Sequence, residues 1–314
     1  MGEFLGPSHY KVFHTTGTAG TLAAAAAAAH LLKADESTML HTFGSAGTQA
    51  AGLWEFLKDA ADSKQLHTAK AASNGVLAAY LGQDGFTGAA RILEGTQGMG
   101  AGMSSEPDPE KLLQDLGVKW GVCETSLKYH ASCRHTHPSA DALLRIMQEH
   151  HLNYRDIVKI RACVYQAAAD VLGSVNDPQT IHQSKFCMEF VLALIARNGS
   201  AGISDFNDKA LKDQELRNLC QRVEMEVDPE IEAIYPQRWS ATVEVEMIDG
   251  KKFSMHTETP KGDPGNRLTR AELEEKVLRL AEYQNGATRK EMNSIIERVW
   301  CLDEASRMTR LLET

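Results

Sequence analysis

The stretch "SATVEVEMIDGKKFSMHTE", residues 240–258, decides the fold class of this chain. Two runs of alternating apolar and polar residues flank the dipeptide Asp249-Gly250. Alternation with a period of two is typical of a strand with one buried face, and Asp-Gly is a favoured hairpin turn. The stretch therefore predicts a β-hairpin in a chain whose other patterns are mostly helical.

Two more stretches upstream of the hairpin indicate strands. The segment "RVEMEVD", residues 222–228, has apolar residues at every second position, and "IVKIRACVYQ", residues 157–166, also alternates. A long helix is predicted between them, from Thr180 to Arg197. These elements together predict a small α+β part in the middle of the chain.

The first 120 residues predict helices and no strand. The alanine-rich segment 18–33, "TAGTLAAAAAAAHLLK", has the highest helix propensity of the chain. Residues 36–60 are expected to continue helically, with Trp54 as an apolar anchor. "DSKQLH", residues 62–67, breaks this pattern, and a further helix is expected from Thr68 to Leu81.

The C-terminal tail is predicted to be helical again from Thr269 onwards. We therefore expect an α+β protein with a large all-helical domain and a smaller α+β domain. The expected division is 1–121 for the first part of the helical domain, 122–267 for the α+β domain and 268–314 for the C-terminal helices.

Composition excludes several classes of protein. The 314 residues are 43% hydrophobic and 24% charged, which is typical of a globular protein, and no apolar run is long enough to span a bilayer. The net charge of −9 argues against a general nucleic-acid binder. The six cysteines form no C-x-x-C pair, and no secretory signal is visible. We expect an intracellular protein with reduced thiols, without a distinction between cytoplasm and mitochondrion.

The segment "KYHASCRHTHP", residues 128–138, concentrates cationic and metal-ligating side chains in an acidic chain. Cys133, His135 and His137 could ligate a metal if the segment were extended, but Arg134 in their middle would repel a cation. Cys133 beside a histidine could also be a nucleophile, although buried cysteines are more often inert. A purely structural interpretation also stays open, with solvated charges and histidines that precede the next helix.

An anion site is the interpretation that explains more of the charged residues. Lys128 supplies a point charge, and Arg134 supplies a planar fork that fits a carboxylate. His14 lies in the loop "HTTGTAG", directly before a predicted helix whose first N–H groups favour negative charge. Lys64 and His67 lie in the short break between two predicted helices. Residues at the ends of elements are where binding sites are usually built.

Five motifs together resemble the MmgE/PrpD family: "FHTTGTAGT", "SAGTQAAGLWEFL", "DSKQLHTAKAASNG", "LKYHASCRHTHPSAD" and "PKGDPGN". The family includes 2-methylcitrate dehydratase, cis-aconitate decarboxylase and iminodisuccinate epimerase. The resemblance implies a large helical domain completed by the C-terminal tail, an α+β lid, a homodimer, and neither metal nor other cofactor. It also implies a di- or tricarboxylate as the substrate, and no nucleic-acid or membrane partner.

The resemblance also assigns roles to particular residues. It implies catalytic roles for His14, Lys64 and Lys128, with His14 as general acid or base because an ordinary imidazole pKa of about 6.5 suits both directions. The residues that it implies for substrate binding are His67, Arg134, His137 and Thr18. We expect Lys128 and Arg134 to face His14 and Lys64 across the junction of the two domains.

Two departures from the family pattern bear on the reaction. The decarboxylase branch has a histidine where this chain has Cys133, so dehydration of a 2-methylcitrate-type hydroxy acid is the first expectation. Decarboxylation and epimerisation of a similar acid stay open. Family chains also begin upstream of "FHTTGTAG", so we expect the first part of the helical domain to be missing. A truncated, non-catalytic relative or subunit is therefore the third alternative.

Overall fold

The computed structural model describes residues 1–59 and 61–305. The chain divides into two compact units, Met1–Trp120 and Gly121–Thr314. None of the described helices is long and apolar enough to cross a membrane.

The first unit is built from helices. In chain order they are α1 (Gly2–Tyr10), α2 (Ala19–Leu31), α3 (Glu36–Gly47), α4 (Phe56–Asp59), α5 (Ser63–Gln83) and α6 (Met99–Met103). The predicted alanine-rich helix is confirmed as α2. Its small side chains let α5 approach closely. The two helices are so near each other that a methyl group at Gly75 of α5 would lie only 2.5 Å from the Cβ atom of Ala24. From α1, Phe4 and Leu5 are fully buried and complete this small core.

The continuous helix predicted over residues 36–60 is wrong. Helix α3 ends at Gly47, α4 begins at Phe56, and residue 60 lies outside the described residues. The connecting segment turns at Trp54, whose backbone N–H donates to the carbonyl of Val12 over 3.1 Å. Neighbouring Leu53 forms an isolated β-bridge with Phe13. The helix is thus interrupted where its backbone pairs with the loop after α1.

The predicted break at "DSKQLH" is also wrong. Helix α5 begins at Ser63, so Lys64 and His67 belong to its first two turns. Lysine, glutamine and leucine all have good intrinsic helix propensity, and no proline or glycine stops the helix here. The loss of apolar periodicity at this place therefore marks a polar helix start and not a loop.

The second unit combines helices with one sheet. Its helices are α7 (His137–Glu149), α8 (Gln166–Leu172), α9 (Ile181–Ser184), α10 (Met188–Asn198), α11 (Asp208–Lys212), α12 (Gln214–Cys220), α13 (Pro229–Ile234), α14 (Arg270–Glu282) and α15 (Arg289–Trp300). Its strands are β1 (Ile157–Val164), β2 (Val223–Val227), β3 (Ala241–Met247) and β4 (Lys252–Thr257). All the predicted strands are confirmed, and so is the helix expected from Thr269.

The four strands form a mixed sheet in the order β2-β1-β3-β4. The pair β1–β2 is parallel, and the pairs β1–β3 and β3–β4 are antiparallel. On β3, Val243 and Val245 are at most 1% exposed and face the core, in which α7 and α10 also take part. Charged pairs such as Arg161 with Glu244 occupy the opposite face. The alternation in the sequence thus corresponds to a sheet with one buried face.

The single long helix predicted from Thr180 to Arg197 is wrong. The structure divides it into α9 and α10, with Lys185 in the interval. The carbonyl of Lys185 accepts a hydrogen bond from the backbone N–H of Cys133 over 2.8 Å. A carbonyl that accepts a hydrogen bond from another segment is not available to an N–H group of its own helix, so this contact accounts for the break.

The division at residues 121 and 267, and the return of 268–314 to the helical domain, stay predictions. The described part of this tail is grouped with the second unit. Within that unit, Lys276 of α14 donates to the carbonyl of Lys128, and Glu272 pairs with Lys261 over 2.9 Å. Residues 306–314 of the predicted tail lie outside the described residues.

Candidate functional site

The first unit brings two of the predicted site residues together. The Nδ1 atoms of His14 and His67 are 2.9 Å apart, which is a hydrogen bond between the two imidazole rings. His14 is only 7% exposed, whereas His67 is half-buried on α5. The backbone N–H of His14 donates to the carbonyl of Gly52 over 3.2 Å and holds the ring in place.

The surroundings of His14 favour its neutral form. Burial, and to a lesser extent the nearby charges of His67 and Lys64, lower the pKa of His14 to about 4. The ring packs 4.4 Å from the ring of Trp54 and 5.7 Å from that of Phe56, measured between centroids. Near pH 7 His14 is therefore a neutral imidazole with one bare nitrogen, which suits a proton acceptor.

Thr18 lies at the start of α2 but its side chain is engaged within the unit. It is fully buried, and its Oγ1 atom is 2.9 Å from Nε2 of His9. The Nδ1 atom of His9 is in turn 3.0 Å from the carbonyl of Met103. The sequence analysis did not single out His9, which joins α1 to the start of α2.

In the second unit, the segment from Lys128 to His137 folds back on itself around Ser132. The Nζ atom of Lys128 donates to the carbonyl of Ser132 over 3.0 Å. The hydroxyl of Ser132 is 2.7 Å from that of Thr136, which donates to the carbonyl of Cys133 over 2.8 Å. A short 3-10 turn, Arg134–Thr136, follows directly and leads into α7. This local network holds the cationic side chains close to one another.

Arg134 is only partly satisfied by its protein partners. Its Nη2 atom donates to a carboxylate oxygen of Asp263, and its guanidinium lies 5.1 Å from the ring centroid of Trp239. Its Nη1 atom is buried and has no hydrogen-bond partner in the described residues. A buried guanidinium nitrogen without an acceptor is costly, and a ligand carboxylate would satisfy it.

His137 is buried in a similar way. It is 1% exposed, and its Nε2 atom has no hydrogen-bond partner among the described residues. Burial lowers the pKa of His137 well below its usual range, and the charges of His130, Arg134 and Lys128 add to this, while a bond to the Ser132 backbone opposes it. The ring is therefore neutral, and because Nε2 is unpartnered we infer that the bond to Ser132 involves Nδ1. This leaves Nε2 as a bare acceptor and not as a second cation.

A buried pair that the sequence analysis missed, His130 with Asp141, lies next to His137. The Nε2 atom of His130 is 2.9 Å from a carboxylate oxygen of Asp141, and the other oxygen of Asp141 accepts from the backbone N–H of Lys261 over 2.6 Å. The rings of His130 and His137 are in edge contact, 5.2 Å between centroids. Asp141 thus ties the start of α7 to the loop "PKGDPGN", residues 260–266.

The metal and nucleophile alternatives find no support in this arrangement. His135 directs Nδ1 to the hydroxyl of Tyr165 over 2.8 Å and stacks on Trp239, with 4.8 Å between ring centroids. Among the residues described, no group of three or more histidine, cysteine or acidic side chains is placed to hold a metal ion. Cys133 is 8% exposed and packs in the hydrophobic core, as an inert cysteine does. The absence of a metal stays a prediction.

A cavity of about 550 Å³ opens next to Lys128 within the second unit. It is also lined by His130, by the loop 199–205 and by Lys276 and Arg279 of α14. Burial, together with the charge of Arg279, lowers the pKa of Lys276. The volume suits a small-molecule ligand. Arg134 and His137 do not line this cavity.

The structure therefore forms two clusters from the predicted residues, one in each unit. His14, His67 and Lys64 make up the first cluster, and Lys128, Arg134 and His137 the second. Sequence reasoning missed Asp263, although "PKGDPGN" was among the motifs, because a single acidic residue in a turn does not reveal its partner. It also missed Lys276, which the amphipathic pattern of α14 presents as an ordinary surface charge.

Comparison with known proteins identifies relatives along nearly the whole chain. A model of the MmgE/PrpD N-terminal domain matches residues 1–112, and a model of the MmgE/PrpD C-terminal domain matches residues 130–302. The match to residues 1–112 means that the expected loss of the first part of the helical domain is not confirmed.

Three curated proteins are similar to this chain. Cis-aconitate decarboxylase of Homo sapiens is 23% identical over 96% of this chain and 63% of its own length. The mouse protein of the same name is 22% identical over 96% of this chain and 62% of its own length. The cis-aconitate decarboxylase-like protein oryM of Aspergillus oryzae is 25% identical over 86% of this chain and 58% of its own length. The chain thus spans less than two thirds of the length of these relatives. Because the two domain models together match most of its residues, the chain belongs to the MmgE/PrpD family.

Proposed function

We propose that this chain is a lyase that acts on a citrate-like di- or tricarboxylic acid and dehydrates a 2-methylcitrate-type hydroxy acid. The observation that carries the proposal is the buried Nη1 atom of Arg134, which has no acceptor in the described residues. Membership of the MmgE/PrpD family supports the class of chemistry.

The second cluster is proposed to hold the substrate carboxylates. Arg134 offers Nη1 to a carboxylate oxygen, while Asp263 occupies Nη2 and fixes the plane of the guanidinium. Lys128 adds a positive charge close enough to lower the pKa of both His135 and His137. Charge-assisted hydrogen bonds of this kind are about twice as strong as neutral ones.

The first cluster is proposed to transfer the proton. A dehydration removes a proton from a carbon next to a carboxylate, and the resulting charge spreads onto the carboxylate oxygens. His14 is proposed to accept this proton, because its pKa of about 4 keeps it neutral near pH 7. Lys64 is proposed to stabilise the charge that develops. Loss of one such donor typically lowers the rate by about 10²–10³-fold.

Decarboxylation of cis-aconitate is the second candidate reaction. It is supported by the names of the similar human, mouse and Aspergillus proteins. It also needs cations that hold carboxylates and a group that delivers a proton to carbon, so it would use the same residues. Cys133, where the decarboxylase branch has histidine, favours dehydration. Epimerisation of an iminodisuccinate-type acid is a third possibility within the family.

A direct assay distinguishes these reactions. The purified chain is incubated with 2-methylcitrate, citrate and cis-aconitate, and both the conjugated product and released carbon dioxide are measured. Dehydration gives the conjugated product without carbon dioxide, and decarboxylation gives carbon dioxide. Neither product from any acid would contradict both proposals and leave epimerisation or a non-catalytic role.

Two variants test the proposed role of Arg134. Arg134→Lys keeps a positive charge but loses the fork, and we expect it to weaken binding of the tricarboxylate by about tenfold or more. Arg145→Lys is the matched control, since Arg145 is an exposed arginine on α7 that pairs with Glu149. Unchanged binding by Arg134→Lys would contradict the role.

A homodimer is proposed as the active form, as the family resemblance implies. Sedimentation velocity at micromolar concentration tests this directly. A monomer with full turnover would contradict it.

A further inference from the structure

The hydrogen bond between His14 and His67 lies in the first cluster, apart from the residues proposed to bind the substrate carboxylates. Both rings use Nδ1, and their separation is 2.9 Å. For this bond to exist, one Nδ1 atom carries the proton and the other carries a lone pair. In a pair of neutral rings, the tautomer of one histidine therefore fixes the tautomer of the other.

The two rings also differ in their access to solvent. His14 is 7% exposed and enclosed by Trp54 and Phe56, whereas His67 is half-buried on the first turns of α5. Among the described residues, each ring makes its one hydrogen bond to the other ring. The Nε2 atom of each ring is therefore the position at which it can exchange a proton with a substrate or with water.

We propose that His14 and His67 form a two-histidine proton relay between the substrate and solvent. This proposal rests on the proposed lyase function and deepens it. In the first state His14 carries its proton on Nδ1 and His67 carries its proton on Nε2. The Nε2 lone pair of His14 then accepts the substrate proton. The Nδ1–H bond of His14 breaks, and its proton forms a bond to the Nδ1 lone pair of His67. The Nε2–H proton of His67 passes to water.

The atoms balance in this sequence. The substrate loses one proton, water gains one, and each histidine ends as a neutral ring in the opposite tautomer. In this second state Nε2 of His14 carries a proton and can donate it, so the reverse sequence delivers a proton to a substrate. His14, the buried ring, is therefore neutral both before and after the complete transfer. This explains how a histidine whose pKa lies near 4 can serve both as base and as acid at neutral pH.

Among the charged side chains that the structure describes, Lys64 acts on the pair, and its charge disfavours protonation of His14. A permanent imidazolium at His14 is thus opposed both by burial and by Lys64. Passing the proton on to His67 removes that cost, because the charge moves to the ring nearer to solvent.

The first test needs no substrate. The chain is labelled with ¹⁵N-histidine, and the ring nitrogens of His14 and His67 are followed by NMR at pH 8, where ordinary imidazoles are neutral. The relay predicts that both tautomers are populated, so that the ring nitrogens of the pair show shifts averaged between protonated and bare nitrogen. A pair frozen in one tautomer overturns the relay, whatever the activity of the chain.

The second test separates a relay from simple positioning. In His67→Asn the amide lies near the former Nδ1 position and can hydrogen-bond His14, but it cannot pass a proton on. The relay predicts that turnover falls at least about tenfold with little change in KM, since general acid–base steps are worth about 10²–10⁴-fold. It also predicts that exchange of the substrate proton with deuterated solvent slows in this variant. Full rescue of turnover and exchange by asparagine would overturn the relay and leave His67 with a positioning role.

A matched control is His30→Asn, which changes an exposed histidine in the last turn of α2. It is expected to leave turnover, solvent exchange and the signals of the pair unchanged. If the wild-type chain shows averaged nitrogen shifts but turns over none of the three acids, the proposed lyase function fails while the proton exchange within the pair stands. If it turns over an acid with a frozen pair, the lyase function stands and the relay fails.

Discussion

The substitution Asp263→Ala is expected to destabilise the second unit by about 3 kcal/mol. The side chains of Arg134 and Asp263 are only 19% and 14% exposed, so their ion pair is largely removed from water. Removing one partner of a buried pair costs about 3–5 kcal/mol, because it leaves an uncompensated buried charge. We expect the lower end of this range, since the guanidinium keeps its contact with Trp239 at 5.1 Å.

The assay is thermal unfolding followed by circular dichroism. A loss of about 3 kcal/mol corresponds to a decrease of about 6–12 °C in the Tm of a domain of this size. Glu149→Ala is the control, because the pair of Arg145 and Glu149 is 55% and 48% exposed and should contribute no more than about 0.5 kcal/mol. Citrate should raise the Tm of Asp263→Ala more than that of the wild type, since the variant offers two open guanidinium nitrogens.

A loss of less than about 1 kcal/mol in Asp263→Ala would refute the burial of the ion pair between Arg134 and Asp263. Such a result would mean that water reaches the guanidinium, and the unpartnered Nη1 atom would then be no evidence for a ligand. An equal effect of citrate on both proteins would also remove Arg134 from the proposed carboxylate site.

Three further predictions concern the second unit. Asp141→Ala should cost about 2–4 kcal/mol in urea unfolding, because it leaves both the ring of His130 and the backbone N–H of Lys261 without an acceptor. The free energy of unfolding should fall as the pH drops from about 6.5 towards 4, because burial lowers the pKa of His135 to about 4. Between these pH values His135 is protonated in the unfolded chain but neutral in the folded one, so acid favours the unfolded chain. His135→Phe should reduce the slope of stability against pH in that window, and an unchanged slope would contradict the assignment. Elemental analysis should find neither zinc nor iron in stoichiometric amount, and a stoichiometric metal would support Cys133, His135 and His137 as metal ligands.

The strands were predictable because their signal is local. The alternation over 240–258 and the turn Asp249-Gly250 specify a hairpin without knowledge of the rest of the fold, and the structure forms β3 and β4 there. The helix predicted over 180–197 failed for a nonlocal reason. Its break at Lys185 depends on a hydrogen bond to Cys133, which lies 52 residues away in sequence. Neither propensity nor periodicity carries that information.

The same distinction applies to the candidate site. His14, Lys64 and Lys128 were predicted from the family resemblance, and the sequence places each near the end or start of an element. The pairing of His14 with His67, and of Arg134 with Asp263, depends on how distant segments pack. The residue types that site chemistry requires were therefore visible in the sequence, but their partners were not.

The charged and titratable side chains of the segment 128–138 have few acidic partners among the described residues. Lys128 donates a hydrogen bond to the carbonyl of Ser132, and Asp263 pairs with Arg134 through Nη2. The acidic side chain of Asp141 is directed to His130 and to a backbone N–H. Burial and the neighbouring cations lower the pKa of His137, so it adds no charge of its own. The buried Nη1 atom of Arg134 is thus left without an acceptor beside neutral imidazoles, and a bound carboxylate would satisfy it.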